Sequence, residues 1–216
     1  MSANVPCLRP NATAAVLILM GVQRDFYEVG APARVEGTLE AVPAMAKLAA
    51  AFRERARPIV HVVRLYRTDG SNVDAVRRHA VELGARVATP GTSGSQIAPE
   101  LLPEPVDLDH QTLLDGAFQE LGLSEHALYQ PRWGAFYRTD LTFHLQNAEA
   151  DTLVFAGCNF PNCLRTSVYE ASERDFRVVL AADATSGLYE RGVEECRRIG
   201  VSVWDVADIR KWLEDR

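Results

Sequence analysis

The stretch DTLVFAGCNFPNCLRTSVYEASERD, residues 151–175, decides how the rest of the chain is read. Residues 151–157 are an apolar run with branched and aromatic side chains, which predicts a buried strand. Residues 161–175 read as a helix with Pro161 near its start. Between them lie two cysteines, Cys158 closing the strand and Cys163 just inside the helix.

The pattern repeats outward. AAVLILM, residues 14–20, is an uninterrupted apolar run and predicts a strand buried on both faces, as in a parallel sheet covered by helices. Residues 38–56 have helical periodicity, with Pro43 placed in the first turn, and residues 57–63 read as a second strand. Residues 71–84 predict a short helix that ends at Gly84. Residues 85–130 are the least regular part, rich in Gly, Ser and Pro, with a short strand at 126–130. A helix over 139–150 precedes the opening stretch. After it come a strand at 176–183, a helix at 190–200, a strand at 201–205 and a last helix. This alternation predicts an α/β fold, doubly wound, with five or six parallel strands and one domain over residues 1–216. Ligands in such sheets bind beyond the strand C-termini. Three segments lie there: GVQRDFYEVG, RLYRTDG and GCNFPNC.

Composition narrows the function. Net charge is −6 and Lys and Arg are scattered, so no nucleic-acid partner is expected. The longest apolar run is too short to span a bilayer, and residues 1–11, read as a flexible tail, lack a signal-peptide core. A cytoplasmic protein is expected. The four cysteines are Cys7, Cys158, Cys163 and Cys196, and free thiols are expected. Cys163 sits where unpaired helix N–H groups favour a thiolate and could hold an oxyanion. The same position also suits a small buried hydrophobe. Cys158 fits packing or a pocket wall.

The segments VLILMGVQRDF, YQPRWGAFYRTDL and AGCNFPNCLRTSVYEASERDFRVVLAADATSG resemble the signature segments of the isochorismatase-like cysteine hydrolases. That superfamily includes nicotinamidases, N-carbamoyl amidases and isochorismatases. The resemblance implies a mostly parallel six-stranded sheet in the order 3-2-1-4-5-6, with helices on both faces. It implies a nucleophile at Cys163, a cis peptide between Cys158 and Asn159, and an oxyanion hole from the N–H groups of Asn159 and Cys163. It also implies an Asp and a Lys that this chain lacks: Gly21 and Gln130 stand in their places. The Asp would take the thiol proton and deliver it to the leaving amine. General acid–base help is worth about 10²–10⁴ in rate, so amide hydrolysis is expected to be badly impaired. Losing acid and ammonium together keeps the site electrically balanced, since a lone buried Lys would be costly.

Other residues extend the expected site. Asp25 is a weak alternative base. His61 and Arg64 lie toward the end of the second strand, where Arg64 could hold a substrate carboxylate or carbonyl. Phe26, Tyr27, Tyr66 and Trp133 are expected to wall an aromatic pocket, with core packing as the alternative. DLDH, residues 107–110, has no partner motif, and neither a metal nor a cofactor is expected. The expected function is hydrolase-like carbonyl chemistry on a small-molecule substrate, with Cys163 in a remodelled triad. The alternative is a catalytically inactive homologue that binds or scaffolds. By the resemblance, a homo-oligomer, dimer or tetramer, is expected.

Overall fold

The computed structural model describes residues 5–214. The parallel strands form where the apolar runs lie: β1 (Ala15–Met20), β2 (Ile59–Val63), β4 (Glu125–Tyr129), β5 (Thr152–Gly157), β6 (Arg177–Thr185) and β7 (Ser202–Trp204). Their order in the sheet is β4-β2-β1-β5-β6-β7, which is the expected 3-2-1-4-5-6 counted over the parallel strands alone. The sheet has seven strands rather than six. β3 (Gln119–Gly122) pairs antiparallel with β4 at the edge. It lies in the irregular 85–130 stretch, and its four residues include only one buried position, so it carries no apolar run to betray it.

β1 is buried on both faces, and its alternate residues feed separate cores. Ala15, Leu17 and Leu19 meet one core with α2 (Thr38–Glu54) and α8 (Val206–Glu214). Val16, Ile18 and Met20 meet the other with α5 (Leu141–Asn147), α6 (Arg165–Ser172) and α7 (Glu190–Arg198). Pro43 lies inside α2 rather than in its first turn. A smaller cluster gathers Phe26 of α1 (Arg24–Tyr27), Tyr66, Cys158, and Val73 and Val81 around α3 (Ala75–Glu82). A one-turn helix, α4 (His110–Leu114), precedes β3. Among the described residues no helix is long and apolar enough to cross a membrane.

Met1–Asn4 of the expected tail lie outside the described residues. Residues 6–11 rest on the body: Arg177 donates to the Cys7 carbonyl, and the Asn11 N–H donates to Thr152. The key junction is the end of β5. Gly157 has φ +124°, and a Cβ there would stand 2.3 Å from the Met20 carbonyl oxygen, so only glycine lets β5 come this close to β1. The Cys158 N–H then donates to that carbonyl at 2.7 Å, and the chain turns into the cysteine loop.

Candidate active site

Beyond the C-terminal ends of β1, β2, β4 and β5 lies a cavity with about 40 Å³ of room for water-sized molecules. Gly21, Phe26, Arg64, Gln130, Cys158, Asn159 and Cys163 of the expected site border it. The Cys158–Asn159 peptide is cis. Cys163 does not open a regular α-helix. It lies in an irregular π-helical turn, Phe160–Leu164, that leads into α6. That turn is anchored by the Phe160 N–H on the Ser186 carbonyl and by Ser167, which donates to the Cys163 carbonyl at 2.8 Å.

The cavity is not stripped of charge. The Arg64 side chain is 3% exposed, and its Nη2 lies 3.8 Å from the Cys163 Sγ. Its Nη1 is 3.9 Å from the Asp74 carboxylate, which also lies 3.6 Å from Arg77 and accepts the Tyr66 hydroxyl at 2.9 Å. Sequence reasoning missed Arg77 and Asp74. Both come from the start of α3, which reaches the site only through the fold. The expected electrical balance is therefore overturned: two guanidiniums share one carboxylate. Burial, with the Asp74 contact added, pushes the Tyr66 hydroxyl up to about 12. Tyr66→Phe is expected to cost about 1 kcal/mol in a denaturant melt, the typical net worth of one such hydrogen bond.

Gln23, fully buried, fixes the Arg64 backbone: its Nε2 donates to the Arg64 carbonyl at 2.8 Å and its Oε1 accepts the Arg64 N–H at 2.7 Å. Gln130 is fully buried too, yet neither its Nε2 nor its Oε1 meets a protein partner. A buried polar group left so costs about 1–3 kcal/mol. Gly21 has φ +62°, and a Cβ there would stand 2.9 Å from the Cys158 carbonyl oxygen. The backbone at this position is thus suited to glycine and does not leave free room for a side chain. Burial pushes the Cys158 thiol up to about 11, which leaves it a neutral wall group.

Four expected residues stand elsewhere. His61 shares a face of β2 with Ile59 and Val63, opposite to the face of Val62, because side chains alternate along a strand. It lies 2.6 Å from Glu125 of β4, which Arg53 of α2 also binds, so it belongs to a buried ion cluster under α2. Tyr27 follows Phe26 by about 100° around α1 and turns into the α2 core. Trp133 stands behind the cavity, its ring 5.5 Å from the Arg64 guanidinium and 4.8 Å from that of Arg77. Asp25 accepts the Ala88 N–H at 2.7 Å, packs against Gly94 and does not border the cavity. In DLDH, Asp109 caps α4 and His110 bridges Ser95 and the Gly91 N–H. Among the described residues no group of three His, Cys, Asp or Glu side chains is placed to hold a metal ion.

Comparison with known proteins agrees with this fold. A crystal structure of an isochorismatase family protein from Desulfovibrio vulgaris superposes with a TM-score of 0.80 at 30% identity, covering 94% of this chain and 99% of that one. A probable inactive nicotinamidase from Arabidopsis thaliana is 26% identical over 207 residues, 92% of this chain and 94% of the relative. An uncharacterized isochorismatase family protein, YecD, from Escherichia coli O157:H7 is 28% identical over 180 residues, 83% of each. The Isochorismatase domain family matches residues 15–196, and with the cysteine loop and sheet order described above, the chain belongs to the isochorismatase family.

Proposed function

We propose that this protein is a hydrolase-like enzyme in which Cys163 attacks an activated carbonyl of a small molecule, with Arg64 in the electrostatic role left empty by Gln130. The observation that carries the reading is the Arg64 guanidinium 3.8 Å from the Cys163 sulfur, in a cavity bordered by no carboxylate among the described residues. A guanidinium in this place can hold a substrate carbonyl or carboxylate beside the sulfur. The backbone N–H groups of Asn159 and Cys163, whose residues border the cavity, are assigned to the developing oxyanion. No group is at hand to protonate an amine, so leaving groups that depart as stable anions are accepted and ordinary amides are not. The sulfur gives up its proton to water and adds to the carbonyl carbon, the tetrahedral oxyanion collapses with cleavage of the C–O bond, the phenolate or similar anion leaves, and a thioester on Cys163 remains. Water releases it slowly, since no base assists.

The test is exposure to an aryl ester and to its anilide. A burst of phenol equal to the enzyme present is expected, with an acyl mass on the peptide bearing Cys163, no burst with the anilide, and none with Cys163→Ala. Absence of any Cys163-dependent adduct, together with alkylation no faster than a free model thiol, overturns the reading. It would favour the second one, a protein that binds without turnover. That reading is supported by the missing carboxylate and by the "inactive" in the name of the Arabidopsis relative.

A further inference from the structure

We infer that the cavity is a binding site for a small planar anion, one that carries a carboxylate and, joined to it, a carboxamide-like edge with one donor and one acceptor. The inference deepens the reading of this cavity as a small-molecule site and rests on it, but it requires no turnover.

The first argument is the Gln130 carboxamide. It borders the cavity from a fully buried position, and both of its polar atoms lack a protein partner. Because both ends are free, the conclusion does not depend on which end carries the nitrogen. A lysine in this place would present donors only, whereas a glutamine presents a donor and an acceptor side by side. Its complement is a ligand with an acceptor and a donor at the same spacing. A second carboxamide meets that description, through two parallel hydrogen bonds.

The second argument is charge. Arg64 and Arg77 border the cavity and share the single Asp74 carboxylate, which leaves one positive charge over. The Arg64 Nε–H, buried, meets no protein acceptor. A planar carboxylate matches the guanidinium fork in shape and sign. A buried guanidinium gains more from such a partner than a solvated one does, since little water competes.

The third argument is size and shape. The space open to water-sized molecules is small, about 40 Å³, and Phe26, Val35 and Tyr66 supply flat or apolar walls to a planar ligand. The smallest anion of this class has its carboxylate and amide directly joined.

Oxamate, the half-amide of oxalate, serves as the probe, with oxalate lacking the donor and oxamide lacking the charge. Titration calorimetry on the whole chain and on Cys163→Ala is expected to show oxamate binding at millimolar or lower concentration. Oxalate and oxamide are each expected to bind at least about tenfold more weakly, a difference of about 1.4 kcal/mol. Gln130→Glu, which replaces the amide donor by a second acceptor, is expected to weaken oxamate by at least about tenfold. No saturable heat with any of the three, meaning that the cavity holds water only, overturns the inference, and so does equal affinity for all three. Should Gln130→Glu fail to fold, the three-ligand comparison on the unaltered chain decides. Selective oxamate binding without an ester adduct on Cys163 leaves this inference standing and removes the catalytic one. An adduct without oxamate selectivity does the reverse.

Discussion

Glu125→Ala is expected to lower the unfolding free energy by about 3–5 kcal/mol, the usual result of removing one partner from a buried ion pair. The residue is 1% exposed and sits at the start of β4. Arg53 donates to both its oxygens, at 2.8 and 2.7 Å, and His61 lies 2.6 Å from one of them. Removing the carboxylate strands a guanidinium and an imidazole against the α2 face of the sheet. The same cluster fixes a pH dependence. Burial by itself would raise the Glu125 carboxyl, but the hydrogen bonds from Arg53 and His61 outweigh it and bring it from 4.5 to about 2. A carboxyl depressed on folding contributes stability that is full above its unfolded pKa. That stability is lost as pH falls toward the folded value. The contribution is about 3 kcal/mol near neutrality, fading below about pH 5. Denaturant melts of wild type and Glu125→Gln from neutral to acid pH measure it, and the two curves are expected to converge as the acid limit is approached. A Glu125→Ala protein as stable as wild type at neutral pH contradicts this account.

The second large effect concerns Gly21. Installing the charged pair that the resemblance implies, by Gly21→Asp with Gln130→Lys, is expected to yield a less stable protein with no gain in amide hydrolysis. At φ +62° a residue other than glycine pays for a left-handed backbone, and the added Cβ would press on the Cys158 carbonyl at 2.9 Å. The neighbour is backbone and cannot swing away. The cost of such strain is about 1–3 kcal/mol, carried by the Gly21→Asp change alone. Beyond it, the new lysine would join Arg64 and Arg77 in a site that already holds an excess of cations. Thermal melts of both single variants and the double, with anilide turnover alongside, decide the matter. A double variant that melts with wild type and cleaves anilides would mean that the backbone at Gly21 adapts freely.

The parallel sheet was legible because its strands are continuous apolar runs such as AVLILM, buried on both faces. β3 was not, since an edge strand of four residues with mixed exposure has no periodic signature. The cysteine loop was legible as a familiar pattern, and Gly21 and Gln130, which the resemblance marks as departures from it, border the same cavity as Cys163. Arg77 and Asp74 were not. They stand at the start of a short helix far along the chain from the motifs, and only the packing of α3 brings them beside Arg64. His61 misled for a simpler reason. Distance along a strand was weighed without parity, and parity sends it to the far side of the sheet from Cys163.

The antiparallel edge strand limits how another chain can add to the sheet. One flank of the sheet is finished by β3, four residues with an irregular register and Glu120 among them, and the opposite flank by the three residues of β7. Short, irregular or charged margins give a neighbouring chain little to zip onto. Fibril-like growth by strand addition is thereby disfavoured at both flanks, while Val76 of α3 and Phe143 of α5 stand open to solvent.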